Sequence, residues 1–310
     1  MTAPVGRDDE RRPLRDLGDR VGGSVRSERM RGHAQRRAKD VALVMSVLVL
    51  LGALTALGRP RPSLGGLPFP IGERLTYTIS WASYVIAGEM TLAVKARGRF
   101  FDRLGVHLEL RASTTGPVRT LVKALDEQWV SYVDPETWLP YRVEHSRQEG
   151  DRRTDLTITF DHRNGTARLS TGRTIAISSE TRDAVAFLYH LRTLPLRPGS
   201  RYRFSLLSDR RRLLVHADVG SRTAIETPLG RFEAIELALR VEAVGGKAAE
   251  MPRLRLWLSA DERRVPVRIT AEEKLGEIRV ELVQMRTDTS ASRWPTEEAP
   301  TALSPPERIR

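Results

Sequence analysis

Hydrophobic and polar positions follow three different patterns along this chain. From Val41 to Gly58 the stretch VALVMSVLVLLGALTALG is apolar all round, with no polar face on a helix. From Phe69 to Arg286 short alternating segments take over, and turn residues recur every 8 to 15 positions. Residues 1–40 and 287–310 show no periodicity at all.

In the middle region, Arg74–Trp81 puts Leu75, Tyr77, Ile79 and Trp81 on one face, as the two-residue period of a strand requires. Met90–Val94, Val106–Leu110, Trp129–Val133, Leu156–Phe160 and Leu254–Leu258 alternate in the same way and predict half-buried strands. Asn164-Gly165, Pro228-Leu229-Gly230 and Leu275-Gly276 supply turn chemistry between strand patterns. Two segments break the rhythm. Ala184, Phe187, Leu188 and Leu191 share one helical face within Thr181–Leu194, with Ser178 or Ser179 available as a cap and Pro195 as a stop. Val118, Leu121, Val122 and Leu125 repeat that spacing after Pro117 and predict a shorter helix. The domain, residues 71–286, is therefore expected to be mainly antiparallel β with one or two helices, and it is large enough for a substantial core.

The apolar run has the layout of an exported protein's leader. Arg36-Arg37-Ala38-Lys39 precedes it and the Pro/Gly-rich linker 59–70 follows. Eighteen residues in a helix span roughly 27 Å, just enough for a hydrocarbon core of about 30 Å. The run reads either as a transmembrane anchor or as a signal peptide cut after Gly58, where Ala56 and Gly58 are suitably small. Both place the domain in the periplasm, tethered to the inner membrane by residues 41–58 or free after cleavage. Residues 1–40 hold eleven Arg/Lys and seven Asp/Glu with few large apolar side chains, so disorder is expected there and in the tail 287–310. Met30 offers an alternative start that would give a conventional basic lead.

Composition narrows the chemistry. There is no cysteine, which excludes disulfides, thiolate metal sites and a cysteine nucleophile. The net charge of +12 favours anionic contacts; outside the cytoplasm those are lipid headgroups and surface polysaccharides rather than nucleic acid. The six histidines stand singly, and no two have the i, i+4 spacing of a helical metal pair. No Gly-x-Ser-x-Gly elbow, phosphate-binding glycine loop or dinucleotide fingerprint is present. The carboxylate pairs Asp126-Glu127 and Glu272-Glu273 lie on strand patterns, where neighbours face opposite sides, and are read as solvent-facing. No catalytic residue, metal or cofactor is expected.

Several pieces in order resemble one family over residues 69–285. They are Gly72-Glu73-Arg74-Leu75-Thr76-Tyr77 with Trp81, Gly88-Glu89-Met90-Thr91-Leu92, the segment from Arg182-Asp183-Ala184 to Leu191-Arg192, and Trp257-Leu258-Ser259-Ala260-Asp261 with Arg264-Val265-Pro266-Val267. Together they are similar to the DUF3108 family of exported bacterial proteins, whose function is unassigned. The resemblance implies a curved antiparallel sheet or incomplete β-barrel around a helix, like periplasmic lipoprotein carriers in fold only. It supplies no catalytic residues.

Binding is expected from the aromatics. Trp81, Trp129, Trp138 and Trp257, with Tyr77, Tyr84, Tyr132 and Tyr141, concentrate on predicted strands, and a curved sheet would bring their inner faces together. Trp81, Trp129, Tyr132 and Trp257 are the candidate ligand-binding residues, lining a concave apolar face for a lipid or a lipidated or extended partner. The competing expectation is that these rings simply fill the core, leaving an interaction module that recruits an envelope protein through a sheet edge. Nothing in the sequence sets the oligomeric state.

Overall fold

The computed structural model describes residues 69–82, 85–245, 253–273 and 276–288. The apolar run, Gly58, the segment 1–40, the tail beyond 288 and Tyr84 lie outside the described residues.

Among the described residues, one antiparallel sheet of fourteen strands forms the domain. The first eight strands are β1 (Glu73–Trp81), β2 (Val85–Phe100), β3 (Arg103–Thr114), β4 (Leu125–Val133), β5 (Pro140–Glu149), β6 (Arg152–Asp161), β7 (Thr166–Leu169) and β8 (Thr174–Ala176). They form one meander. A second meander comprises β9 (Arg201–Ser208), β10 (Arg211–Thr227), β11 (Gly230–Ala243), β12 (Arg253–Ser259), β13 (Pro266–Glu273) and β14 (Gly276–Thr287). The two are joined by pairing of the first strand with the last, so the order runs from β8 to β1, then from β14 to β9.

Each predicted strand lies within an observed one, and the turn signals behave as their chemistry requires. Pro228 and Leu229 make a two-residue connection between the paired residues Thr227 and Gly230, the latter at φ 134°. Asn164 and Gly165 belong instead to a four-residue loop closed by the Asp161–Thr166 pair, with Asn164 donating twice to the Asp161 carboxylate. Register shifts at Thr76/Tyr77, Ile79/Ser80, Val94/Ala96, Tyr132/Val133, Val219/Arg222 and Trp257/Leu258 provide the local bends that curl so long a sheet.

The link between the sheet edges carries the helix α1 (Ala184–Leu191). It is shorter than the spacing predicts, and its cap is Asp183 rather than a serine: the Asp183 carboxylate accepts from the backbone of Val185 and Ala186. Ser178 is occupied with Thr181 instead. The second predicted helix is a single π-helical turn, Val118–Val122, with Leu121 81% exposed. Every residue of α1 except His190 is buried, and the helix packs against β3, β4 and β9. A helix buried all round must lie inside the fold. The fold is thus an incomplete barrel whose concave side is filled by its own crossover helix, within one main hydrophobic cluster that draws on both meanders.

The free edges are blunted. β8 has only three residues. Along β9, Arg182 takes one backbone bond from Leu207 and gives one to Ser205, occupying that part of the edge.

Candidate functional site

The inner face carries polar groups as well as apolar ones. At the start of β1, Glu73 alternates with Leu75, Tyr77 and Ile79 and so points inward. Arg192, just past α1, meets it with two parallel bonds of 2.6 and 2.7 Å. Both side chains are at most 4% exposed. The guanidinium also donates to the Arg263 carbonyl and lies 4.2 Å from the centre of the Phe69 ring. Burial works against the charged guanidinium, but the Glu73 carboxylate outweighs it and raises the Arg192 pKa. Burial raises the hydroxyls of Tyr77 and Tyr189, which have no hydrogen-bond partner among the described residues. This fully enclosed bidentate pair ties the crossover helix to the first strand.

A second inward cluster sits on β4 and β5. Trp129 stacks on His145 at 3.7 Å, and the two are cross-strand partners. His145 Nδ1 lies 2.8 Å from Asp209, which belongs to the β9–β10 turn at φ 50°. This contact links the first meander to the second across the gap. Glu127, the cross-strand partner of Arg147, is buried with the Arg147 guanidinium 3.1 Å away. Burial pushes its carboxyl above the ordinary range, against the pull of Arg147 and His145. The solvent-facing expectation for Asp126-Glu127 is therefore corrected for Glu127: Asp126 faces out to Arg119 at 2.9 Å, while the strand alternation turns its neighbour into the barrel. Glu127, Trp129 and His145 all have enclosed polar atoms. Ser131, on the same face, donates to Asp183 at 2.6 Å.

The four candidate ligand-binding residues are not gathered at one place. Trp129 is 2% exposed within the inner cluster, and Trp81 packs at the rim of the core. Trp257 is buried with Glu236 and Arg268 as its cross-strand partners. Tyr132 lies on the outer face, in a separate cluster with Val130, Tyr141 and Phe100. Its odd offset from Trp129 on one strand forces the two rings to opposite sides. The concave face that these rings were expected to line is taken up by α1.

Sequence reasoning passed over a feature on the outer surface of β9–β11. Arg203, His216 and Arg240 are successive register partners across the three strands. With Arg201, Tyr202 and Asp218 they line a groove of about 380 Å³. Asp218 lies 3.3 Å from Arg201, and Glu242 lies 3.3 Å from Arg240 and 3.7 Å from His216. Arg203 has no carboxylate partner among the described residues. No periodicity marks this groove, because it arises from cross-strand register rather than from spacing along one strand. Among the described residues no group of histidines and carboxylates could hold a metal ion, and no helix is long and apolar enough to cross a membrane.

Comparison with known proteins identifies the family. The family model described as "Protein of unknown function (DUF3108)" matches residues 76–283, well over half of the chain, and the chain belongs to that family. Among solved structures, it is similar to a β-barrel-like protein of domain of unknown function DUF1849 from Brucella abortus, at 12% identity and TM-score 0.50, covering 71% of this chain and 98% of that one. A candidate exported protein with a YmcC-like fold from Bacteroides fragilis aligns over 71% of this chain and 98% of its own, at 13% identity and TM-score 0.35. At such identities the Brucella likeness is one of fold. A search of the curated proteins found no match.

Proposed function

We propose that this member of the DUF3108 family is a non-catalytic periplasmic binding module that works by its outer surface, taking an anionic group of the envelope in the β9–β11 groove. The observation that carries this reading is the arginine-lined groove of about 380 Å³ with Arg203 unpaired by any described carboxylate. The net charge of +12 supports it, as does the leader-like order of the N-terminal sequence. Guanidinium groups are suited to the planar or bidentate recognition of phosphate and carboxylate. The filled interior argues against an acyl chain held on the concave face, and the blunted edges argue against strand addition.

The test is equilibrium titration of the full chain, held in neutral detergent, with inorganic phosphate and with a uronic-acid oligosaccharide at low salt. Binding of either that weakens at least tenfold in Arg203→Ala/Arg240→Ala supports the groove. Equal binding by that variant, or none by the natural chain, refutes it. A lipid recovered at one copy per protein from the native envelope would instead restore the cavity reading.

A further inference from the structure

The β2–β3 hairpin reaches well past the start of β1. Gly72 donates to Val94, yet β2 continues to Phe100 before the chain turns at Phe101 and Asp102. Those six further residues run roughly 20 Å past β1 at strand spacing, with β4 alongside as far as the Val106–Val133 pair, so that Gly98–Phe100 and Arg103–Gly105 extend beyond both neighbouring strands. At the tip, Phe101 is 41% exposed, and Leu104 is 52% exposed on the face opposite Gly105. The hairpin is braced rather than free. Phe101 meets Tyr132 edge-on at 5.1 Å and carries Arg142 over its ring at 4.2 Å, while Arg103 lies over Tyr141 at 4.5 Å. Gly105 makes the bracing feasible, since a Cβ there would come within 2.3 Å of the Tyr141 hydroxyl. Arg99 and Arg103 have no carboxylate partner among the described residues, and Arg99 donates to the Asp102 carbonyl.

The chain enters the domain at this same end. Phe69 packs on Trp138 of the β4–β5 turn and on Tyr189. Only ten residues, 59–68, separate it from the apolar run, a reach of at most about 36 Å. The opposite end is also apolar, with Val85, Ile86 and Leu121 exposed. The cations beside Leu121, however, are engaged: Arg119 by Asp126 and Lys123 by Glu149.

We propose that the β2–β3 hairpin is a membrane-docking finger, in which Phe101 and Leu104 enter the interface of an anionic phospholipid bilayer and Arg99 and Arg103 meet its headgroups. Aromatic and aliphatic tips flanked by arginine suit the bilayer interface. Each basic residue near an anionic surface strengthens attraction by an amount equivalent to roughly fivefold in partition. The docking rests on the envelope location proposed above, but it is independent of the β9–β11 groove.

The absence of cysteine allows a clean test with the full chain. Phe101→Cys and, separately, Leu121→Cys are labelled with an environment-sensitive fluorophore and reconstituted with vesicles of phosphatidylethanolamine and phosphatidylglycerol. Expected results are blue-shifted emission and quenching by brominated lipid at position 101, a water-exposed signal at 121, and a fall of tenfold or more in the inserted fraction when Arg99 and Arg103 are both changed to Ala. Leu104→Cys serves as the second reporter and should behave like 101. A label at 101 and 104 as exposed as that at 121, insertion at 121 instead, or equal insertion in neutral phosphatidylcholine would each overturn the proposal. Phosphate binding by the groove is read separately, so either site can fail without the other.

Discussion

Removing one partner of the Glu73–Arg192 pair should cost far more than removing both. Glu73→Gln keeps the shape but leaves a guanidinium at 1% exposure without its counter-charge. Arg192→Met leaves a carboxylate that is equally enclosed. Breaking a buried pair in this way typically costs about 3–5 kcal/mol, whereas apolar replacement of both is close to neutral. The bidentate geometry, 2.6 and 2.7 Å, and the Phe69 ring at 4.2 Å place each single variant toward the upper part of that range. A loss of about 4 kcal/mol lowers the melting temperature by about 8–16 °C in a domain of 150–250 residues. The double variant Glu73→Leu/Arg192→Met should recover most of it, to within about 1–2 kcal/mol of the natural chain. Urea unfolding followed by tryptophan fluorescence, on all four proteins, measures the cycle. Single losses below about 1 kcal/mol, or a double loss equal to their sum, would refute the view that this pair joins helix to barrel as one enclosed unit.

Three other outcomes can be measured on the same footing. Gly88→Ala should destabilise by about 1–3 kcal/mol, because a Cβ there would sit 2.3 Å from the Ser113 carbonyl oxygen of the neighbouring strand; a neutral melting temperature would contradict the backbone approach. Asp183→Ala removes the cap of α1 and strands the Ser131 hydroxyl, so a loss of about 2 kcal/mol or more is expected, with Asp183→Asn less harmful; thermal melts decide. Burial depresses His190 to about 3 and His107 to about 4. Depressed folded values mean that their contribution is complete above the unfolded value of about 6.5 and is lost as pH falls from there toward 4 and 3. His107→Gln/His190→Gln should flatten the stability profile over that window, and an unchanged slope would discount these two groups.

The residues that a strand period turns inward are legible in the sequence alone. Leu75, Tyr77 and Ile79 are inward as their spacing demands, and Pro228-Leu229-Gly230 turns where its chemistry says. The segments that carry the family resemblance also matter physically. Gly72-Glu73 and the end of the Arg182–Arg192 segment meet in the buried ion pair, 119 positions apart. Even the separation of Trp129 from Tyr132 was present in their odd offset, and the expectation that both line one cavity overlooked it.

Periodicity along the chain determined the element types, the inward faces and the position of the crossover helix, because each depends on backbone geometry over a few residues. Tertiary structure alone decided that β1 pairs with β14, that α1 fills the concave side, and that Arg203, His216 and Arg240 form one groove. Each of these depends on how distant strands come into register when the sheet curls, and local spacing carries no record of that register.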